Sequence, residues 1–189
     1  SLHDALPICA ERVLAQWTPI HRFDALISCV YFFDANTGLV GTSDKIYRTQ
    51  DGGLSWQTVA TGLPGPTAFE FKDLQNGWCS MSGVPPGVGC YRTTDGGRSW
   101  QEVAGLRRHG SGAHWQPGAG GLCLHTIVLD PTRPARMFVA ISAAGAFRTD
   151  DAGQSWRPIN RGLHSPYLPD PAAEVGHCVH RVALHPSRP

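Results

Sequence analysis

The chain has 189 residues, of which only 16% are charged, and its formal net charge is +1. So weak a charge gives no electrostatic basis for binding nucleic acid or an anionic membrane, and no apolar run reaches the ~18–20 residues of a membrane-spanning helix. Glycine (22 residues) and proline (15 residues) are abundant, and apolar residues seldom recur at helical spacing. We therefore expect turn-rich β structure, no nucleic-acid partner and no membrane span.

The N-terminal segment 1–15, which begins SLHDALPI, fits nothing in the pattern that follows it. It resembles translated adapter sequence of the kind read through in shotgun assemblies. We therefore leave residues 1–15 unassigned, interpret them as artefactual, and expect the native N-terminus to lie elsewhere.

From residue 16 onward the sequence predicts consecutive units of four short strands. The third unit shows this best, because turn residues separate four strand-like segments at 125–131, 136–142, 145–150 and 155–159. Its complete span is 125–159, and two similar units precede it at 27–59 and 67–103.

Partial units lie at both ends of this series. QWTPI (16–20) has the composition of a final strand, and HRVALHPSRP (180–189) repeats HTIVLDPTRP (125–134), so a further unit begins at 180.

Units of this length with several short strands indicate propeller blades, and a closed propeller needs about 4–8 of them. The prediction is an all-β fold: residues 16–189 form a β-propeller fragment of about three four-stranded antiparallel blades plus partial blades at both ends.

One turn sequence occurs in each complete unit: TQDGGLSW (49–56), TTDGGRSW (93–100) and TDDAGQSW (149–156). An active site needs one constellation of residues, whereas a structural device recurs with every repeat. We therefore expect a structural role for the residues shared by the three turns, in which the carboxylate accepts backbone N–H groups and the indole packs between sheets. These residues are Asp51, Trp56, Asp95, Trp100, Asp151 and Trp156.

This turn unit resembles the Asp-box, or BNR repeat, of sialidases, sortilin-type receptors, xyloglucan-cleaving hydrolases and the photosystem II assembly factor. The first two units are most similar to the assembly factor, through FFDANTGLVGTSDKIYRTQDGG and LQNGWCSMSG. The later ones are similar to bacterial BNR-repeat proteins described as glycosyl hydrolases. The Phe/Tyr-Arg-Ile-Pro segment of true sialidases is absent, since its nearest counterpart is HRFD (21–24).

Two long connections, 104–124 and 160–179, join the last strand of one unit to the first strand of the next. Both are expected on the same face of the propeller, and long loops on a rigid scaffold often bind ligands. Their aromatic and ionisable residues suit a sugar or a peptide, and the alternative is solvated loops that pack on each other. The candidate ligand-binding residues are His114, Trp115, Arg161, His164 and Tyr167.

A second motif, G-x-C-x-H, opens two consecutive inner strands at GLCLHTI (121–127) and GHCVHRV (176–182). Strand alternation places Cys123 with His125, and Cys178 with His180, on one face each. Three interpretations remain open: a Cys₂His₂ zinc or copper site, a Cys123–Cys178 disulfide, or packing without metal. We expect no cofactor and keep zinc or copper as the alternative.

Two functional hypotheses follow from these features. The first is a binding or assembly scaffold for a protein or glycan partner. The second is a glycoside hydrolase, exo-sialidase-like or xyloglucanase-like, whose catalytic residues lie largely on blades outside this sequence. Asp170 and Glu174 are its candidate catalytic carboxylates, because glycosidases use such pairs, and the alternative is that both are solvated turn residues.

Overall fold

A computed structural model describes residues 18–81, 89–115, 122–185 and 187 of the chain. The unassigned segment 1–15, and Gln16 and Trp17 of the predicted preceding strand, lie outside the described residues.

The structure is all-β, with a single turn of 3₁₀ helix (Gly112–His114) in its described part. No helix among the described residues has the length and apolar character that crossing a membrane requires. The described ranges contain twelve strands: β1 (Cys29–Phe32), β2 (Gly38–Gly41), β3 (Lys45–Thr49), β4 (Gln57–Thr61), β5 (Pro66–Phe71), β6 (Gly77–Met81), β7 (Gly89–Thr93), β8 (Gln101–Glu102), β9 (Cys123–Leu129), β10 (Met137–Ser142), β11 (Gly145–Thr149) and β12 (Arg157–Pro158).

These strands form three four-stranded sheets, each an antiparallel meander in chain order: β1 to β4, β5 to β8, and β9 to β12. Their first strands lie side by side, with β1 next to β5 and β5 next to β9. This arrangement confirms the predicted fold class, and the three sheets are propeller blades one, two and three. The segments 18–28 and 178–184 at either end of the blades are outside the named strands.

The core is divided between the two blade interfaces. Between blades one and two, Leu39 and Ile46 pack with Phe69, Phe71 and Met81. Between blades two and three, the larger cluster is built on β9 to β11 and includes Phe147 and Trp156, with Trp78 from blade two and Leu106 from the connection after it. Burying these side chains contributes about 1.5–3 kcal/mol each, so the blades are stabilised chiefly by the faces they share.

A hydroxyl group bridges each pair of neighbouring inner segments. Ser28 Oγ donates to the carbonyl of Pro66, Thr67 Oγ1 to the carbonyl of Leu124 at 2.9 Å, and Thr126 Oγ1 to the carbonyl of His180 at 2.8 Å. The segment after Cys178 therefore lies against β9 much as β9 lies against β5.

The aspartate turns, residues 49–56, 93–100 and 149–156, share one hydrogen-bond pattern. In the first, Asp51 Oδ1 accepts the backbone N–H of Ser55 at 2.9 Å and the hydroxyl of Thr49 at 2.8 Å. Thr49 Oγ1 in turn accepts the N–H of Gly53 at 2.9 Å, and Trp56 Nε1 donates to the Gly53 carbonyl at 2.9 Å. The same donors and acceptors recur around Asp95 and around Asp151.

Each aspartate turn needs backbone in the left-handed region. Gly53, Gly97 and Gly153 have φ of 93°, 89° and 93°, values that a Cβ opposes. The preceding position is glycine in the first two turns, whereas in the third Ala152 occupies it at φ 57°. The third turn therefore carries local strain that its hydrogen bonds must offset.

Acid should destabilise the protein through the aspartate turns. Hydrogen bonds, first from the Ser55 and Ser155 side chains, lower the pKa of Asp51 and Asp151 to about 2. For Asp95, burial acts to raise the pKa, but the bonds from Ser99 and Thr93 outweigh it and the pKa is again about 2. The unfolded value is about 3.9. A folded pKa below the unfolded one gives stability that is complete above the unfolded value and lost as pH falls through the folded one.

The free energy of unfolding, measured with urea at several pH values between about 5 and 2, should therefore fall from about pH 4 downward. Asp151→Asn should make the decline shallower, because it removes one of these titrating groups. A stability that stays constant down to pH 2 would contradict the bonding pattern.

The three indoles should differ in their contribution to stability. Trp156 is 7% exposed in the cluster between blades two and three, whereas Trp56 is only partly buried and contacts Phe23 and Phe32 at ring-centroid distances of 5.4 and 6.2 Å. Trp156→Ala should cost about 3–5 kcal/mol, the usual range for a buried aromatic, and Trp56→Ala clearly less. Denaturant titration of both variants checks the order, and equal losses would be inconsistent with it.

Candidate functional site

The two long connections meet over blade three and line a cavity of about 570 Å³ that is open to solvent. His109, Ser111 and His114 line it from the first connection, and the second contributes Leu168 to Asp170 and Ala173 to Val175. The cavity thus combines an apolar surface with two imidazoles and two carboxylates.

The first connection is held on β11 by a small aromatic network. Trp115 Nε1 donates to Ser111 Oγ at 2.9 Å, and His109 Nδ1 lies 2.7 Å from the same oxygen. The rings of His109 and Trp115 contact the fully buried Phe147 at centroid distances of 5.3 and 5.8 Å. His109 and Ser111 are therefore placed at the cavity by packing against the blade.

Asn160 anchors the second connection. It is 2% exposed, its Oδ1 accepts the N–H of Ala146 at 2.7 Å, and its Nδ2 donates to the carbonyl of Glu174 at 2.9 Å. A Cβ on Gly145, which has φ 108°, would lie 2.3 Å from Asn160 Nδ2, so only glycine fits beneath this side chain. One buried amide therefore ties both ends of the connection to β11.

Further backbone contacts complete the second connection. Gly176 N–H donates to the carbonyl of Ala144 at 2.9 Å, and Ser165 N–H donates to the carbonyl of Pro171 at 2.9 Å. His177 is 4% exposed and donates from Nε2 to the carbonyl of Ala173 at 2.7 Å. The connection is thus a closed loop with fixed ends, as a preformed binding surface requires.

The predicted site residues separate into two groups. His114, Asp170 and Glu174 line the cavity, and Trp115 supports it from below. Arg161, His164 and Tyr167 are exposed and lie outside the cavity lining, and Tyr167 is 94% exposed. Sequence reasoning did not select His109 and Ser111 from the first connection, or the anchors Asn160 and His177, whose roles depend on which backbone groups they face.

Three residues of the two G-x-C-x-H motifs lie next to one another, and the fourth, Cys123, begins β9, where its N–H donates to Ser142 Oγ at 3.1 Å. Cys178 Sγ lies 3.2 Å from His180 Nε2, and the rings of His125 and His180 are 4.3 Å apart between centroids. Burial, followed by the nearby His180, lowers the pKa of His125. Across the described ranges, no three His, Cys, Asp or Glu side chains are grouped so as to hold a metal ion, so the zinc or copper site stays a prediction. Cys178 is a free thiol, so the alternative Cys123–Cys178 disulfide is not formed.

No protein-family model and no curated protein matches the chain. Among solved structures, it is similar to the GH74 xyloglucanase from Xanthomonas campestris, with 20% identity over 74% of this chain and 22% of that one and a TM-score of 0.51. It is also similar to a GH74 enzyme from Niastella koreensis, with 14% identity over 77% of this chain and 23% of that one and a TM-score of 0.51. The chain has the β-propeller fold of these enzymes.

A third solved structure, YCF48 bound to a D1 peptide, matches with 24% identity over 70% of this chain and 39% of that one, with a TM-score of 0.45. The chain thus spans well under half the length of each of these proteins. Identities this low show the fold alone.

Asn160 should control the order of the second connection. Asn160→Ala leaves the buried N–H of Ala146 without its acceptor, which should cost about 1–3 kcal/mol. Residues 161–176 should also exchange backbone hydrogen faster, since both ends lose their tie to β11. Hydrogen–deuterium exchange with mass spectrometry measures this, with Tyr167→Ser as the control that changes an exposed side chain of the same connection. Unchanged exchange in Asn160→Ala would show that the loop is held by other contacts.

Proposed function

We propose that the chain is an Asp-box (BNR) propeller that acts as a binding scaffold, and that an extended segment of a protein partner occupies the cavity between the two connections. The observation that carries this is the cavity itself, whose two walls are each fixed to blade three by buried side chains. Binding to such preformed walls avoids most of the entropic cost of ordering loops.

The composition of the cavity favours a peptide over a sugar. Pro158, Leu168, Pro169 and Val175 supply apolar contacts, and Asp170 and Glu174 supply negative charge for a basic side chain. Sugars usually stack on exposed aromatic rings, but Trp115 is directed into the core and Tyr167 lies outside the lining. We therefore infer an extended ligand that has both apolar and basic residues.

The aspartate turns support a scaffold in a second way. Each of their carboxylates is engaged by hydrogen bonds within its own turn, to a serine and a threonine. Carboxylates used in this way close the turn, so we infer that Asp51, Asp95 and Asp151 have no catalytic role.

Selection of peptides from a random displayed library on the purified protein tests the proposal. Enriched peptides should have lysine or arginine beside apolar residues. The Asp170→Asn/Glu174→Gln double variant should bind them about tenfold more weakly by calorimetry, a loss of about 1.4 kcal/mol. Tyr167→Ser, outside the cavity, should bind them as the wild type does. Peptides that bind all three proteins equally would place the binding surface elsewhere.

Glycoside hydrolysis is the second candidate, because Asp170 and Glu174 line the same cavity. Incubation with xyloglucan and with a sialyl-oligosaccharide, followed by assay of released sugar, separates the two functions. Hydrolysis that Asp170→Asn or Glu174→Gln abolishes would support the enzyme and contradict a pure scaffold. No release from either substrate is the result the scaffold predicts.

A further inference from the structure

In every blade, three residues that pair with one another lie side by side in a row across the first three strands. On the first strand this residue is Tyr31 in blade one and Val128 in blade three, whereas in blade two it is Glu70. The rows are Tyr31–Leu39–Arg48, Glu70–Trp78–Arg92 and Val128–Phe138–Arg148.

The carboxylate of Glu70 is only partly exposed and lacks a compensating partner. No hydrogen bond or ion pair reaches it from any residue that the structure describes. Burial raises the pKa of Glu70. Lys72, two residues further along the chain, is exposed and forms no ion pair with Glu70. A half-buried charge without a partner destabilises the fold, so its presence needs a reason.

In the described part of the chain, a second polar group without a partner belongs to Trp78, the residue that pairs with Glu70 on the neighbouring strand. Trp78 is 3% exposed, and its Nε1–H is buried with no hydrogen-bond acceptor among the described residues. The Arg92 guanidinium lies over its ring, 5.7 Å from the centroid. Buried polar groups without partners are rare in folded proteins, and this indole N–H is adjacent to the half-buried carboxylate of Glu70.

Both groups face the gap between blades two and three. Glu70, Phe71, Lys72 and Trp78 line a cavity of about 290 Å³ from blade two, and Leu129, Pro131 and Pro134 line it from blade three. Lys72 forms no ion pair with Glu70 across this cavity. Asp130 also reaches this cavity, but bonds from Thr132 and Arg136 already satisfy its carboxylate. Glu70 is therefore the one carboxylate of the cavity that is free to bind a ligand among the residues described.

We propose that this inter-blade cavity is a binding site for an organic cation, a guanidinium or ammonium group on an aliphatic stem, with Glu70 as its counter-ion. The charged group pairs with the Glu70 carboxylate, and the stem packs on Leu129 and the two prolines, as the stems of Lys and Arg do on apolar surfaces. This site is separate from the cavity between the two connections and does not depend on the proposed function.

N-acetyl-L-arginine amide is the probe, and its citrulline counterpart is the neutral control of nearly the same shape. In two-dimensional NMR, the arginine probe should shift the Trp78 indole N–H signal, identified by its absence in Trp78→Phe, in a saturable manner. The citrulline probe should not shift it. Glu70→Gln should abolish the response, and Glu174→Gln, which removes a carboxylate from the other cavity, should retain it.

A stability measurement provides an independent test. Glu70→Val gives blade two the residue type that blade three has at Val128, so it should raise the melting temperature in the absence of ligand. A lower melting temperature would show that Glu70 already has a stabilising partner and would overturn the proposal. So would equal shifts by the arginine and citrulline probes, or a response that persists in Glu70→Gln.

Discussion

The structure depends on how one carboxylate closes the turn between the third and fourth strands of each blade. Asp51, Asp95 and Asp151 each accept hydrogen bonds from a backbone N–H, a serine and a threonine of their own turn. In the same turn, the carbonyl of a glycine accepts the N–H of the tryptophan indole. The turn therefore fixes the start of the fourth strand and positions a tryptophan. Because the pattern recurs in every blade, three sheets with short strands acquire the same geometry.

The turns also connect neighbouring blades. The Arg48 side chain of blade one donates to the carbonyl of Gly96 in the second turn at 2.9 Å. A Cβ on Gly105, at the start of the connection after blade two, would lie 2.2 Å from the carbonyl oxygen of Gly153, so the third turn packs directly on this backbone. With the hydroxyl bonds between inner strands, each blade is held to the next at both its inner and its outer side. The long connections are fixed to this framework by a few buried residues such as Leu106 and Asn160, and their exposed residues are available for binding.

Much of the scaffold could be predicted from sequence, because local patterns determine it. The segment 136–142 predicted a strand, and β10 is Met137–Ser142. Alternating residues and Gly-rich turns contain this information directly. The functional surface could be predicted only in part, since Asp170 and Glu174 reach the cavity whereas Arg161 and Tyr167, in the same connection, do not. Which side chain of a loop faces inward depends on anchors such as Asn160, and their partners are distant in sequence. Glu70 was missed for a similar reason: its significance appears only beside the paired residues of the other blades.

Hydrogen exchange at the indole nitrogens tests the central claim, that the aspartate turns are repeated structural clamps, most directly. Two-dimensional NMR in deuterated water should show slow exchange for Trp56, Trp100 and Trp156, whose Nε1–H groups bond to a glycine carbonyl at 2.9 to 3.0 Å. Trp115, which bonds to a serine hydroxyl in a surface connection, should exchange faster. If the three turn indoles exchange as fast as free indole, the turns do not hold their tryptophans, and the structural account of the repeat is wrong.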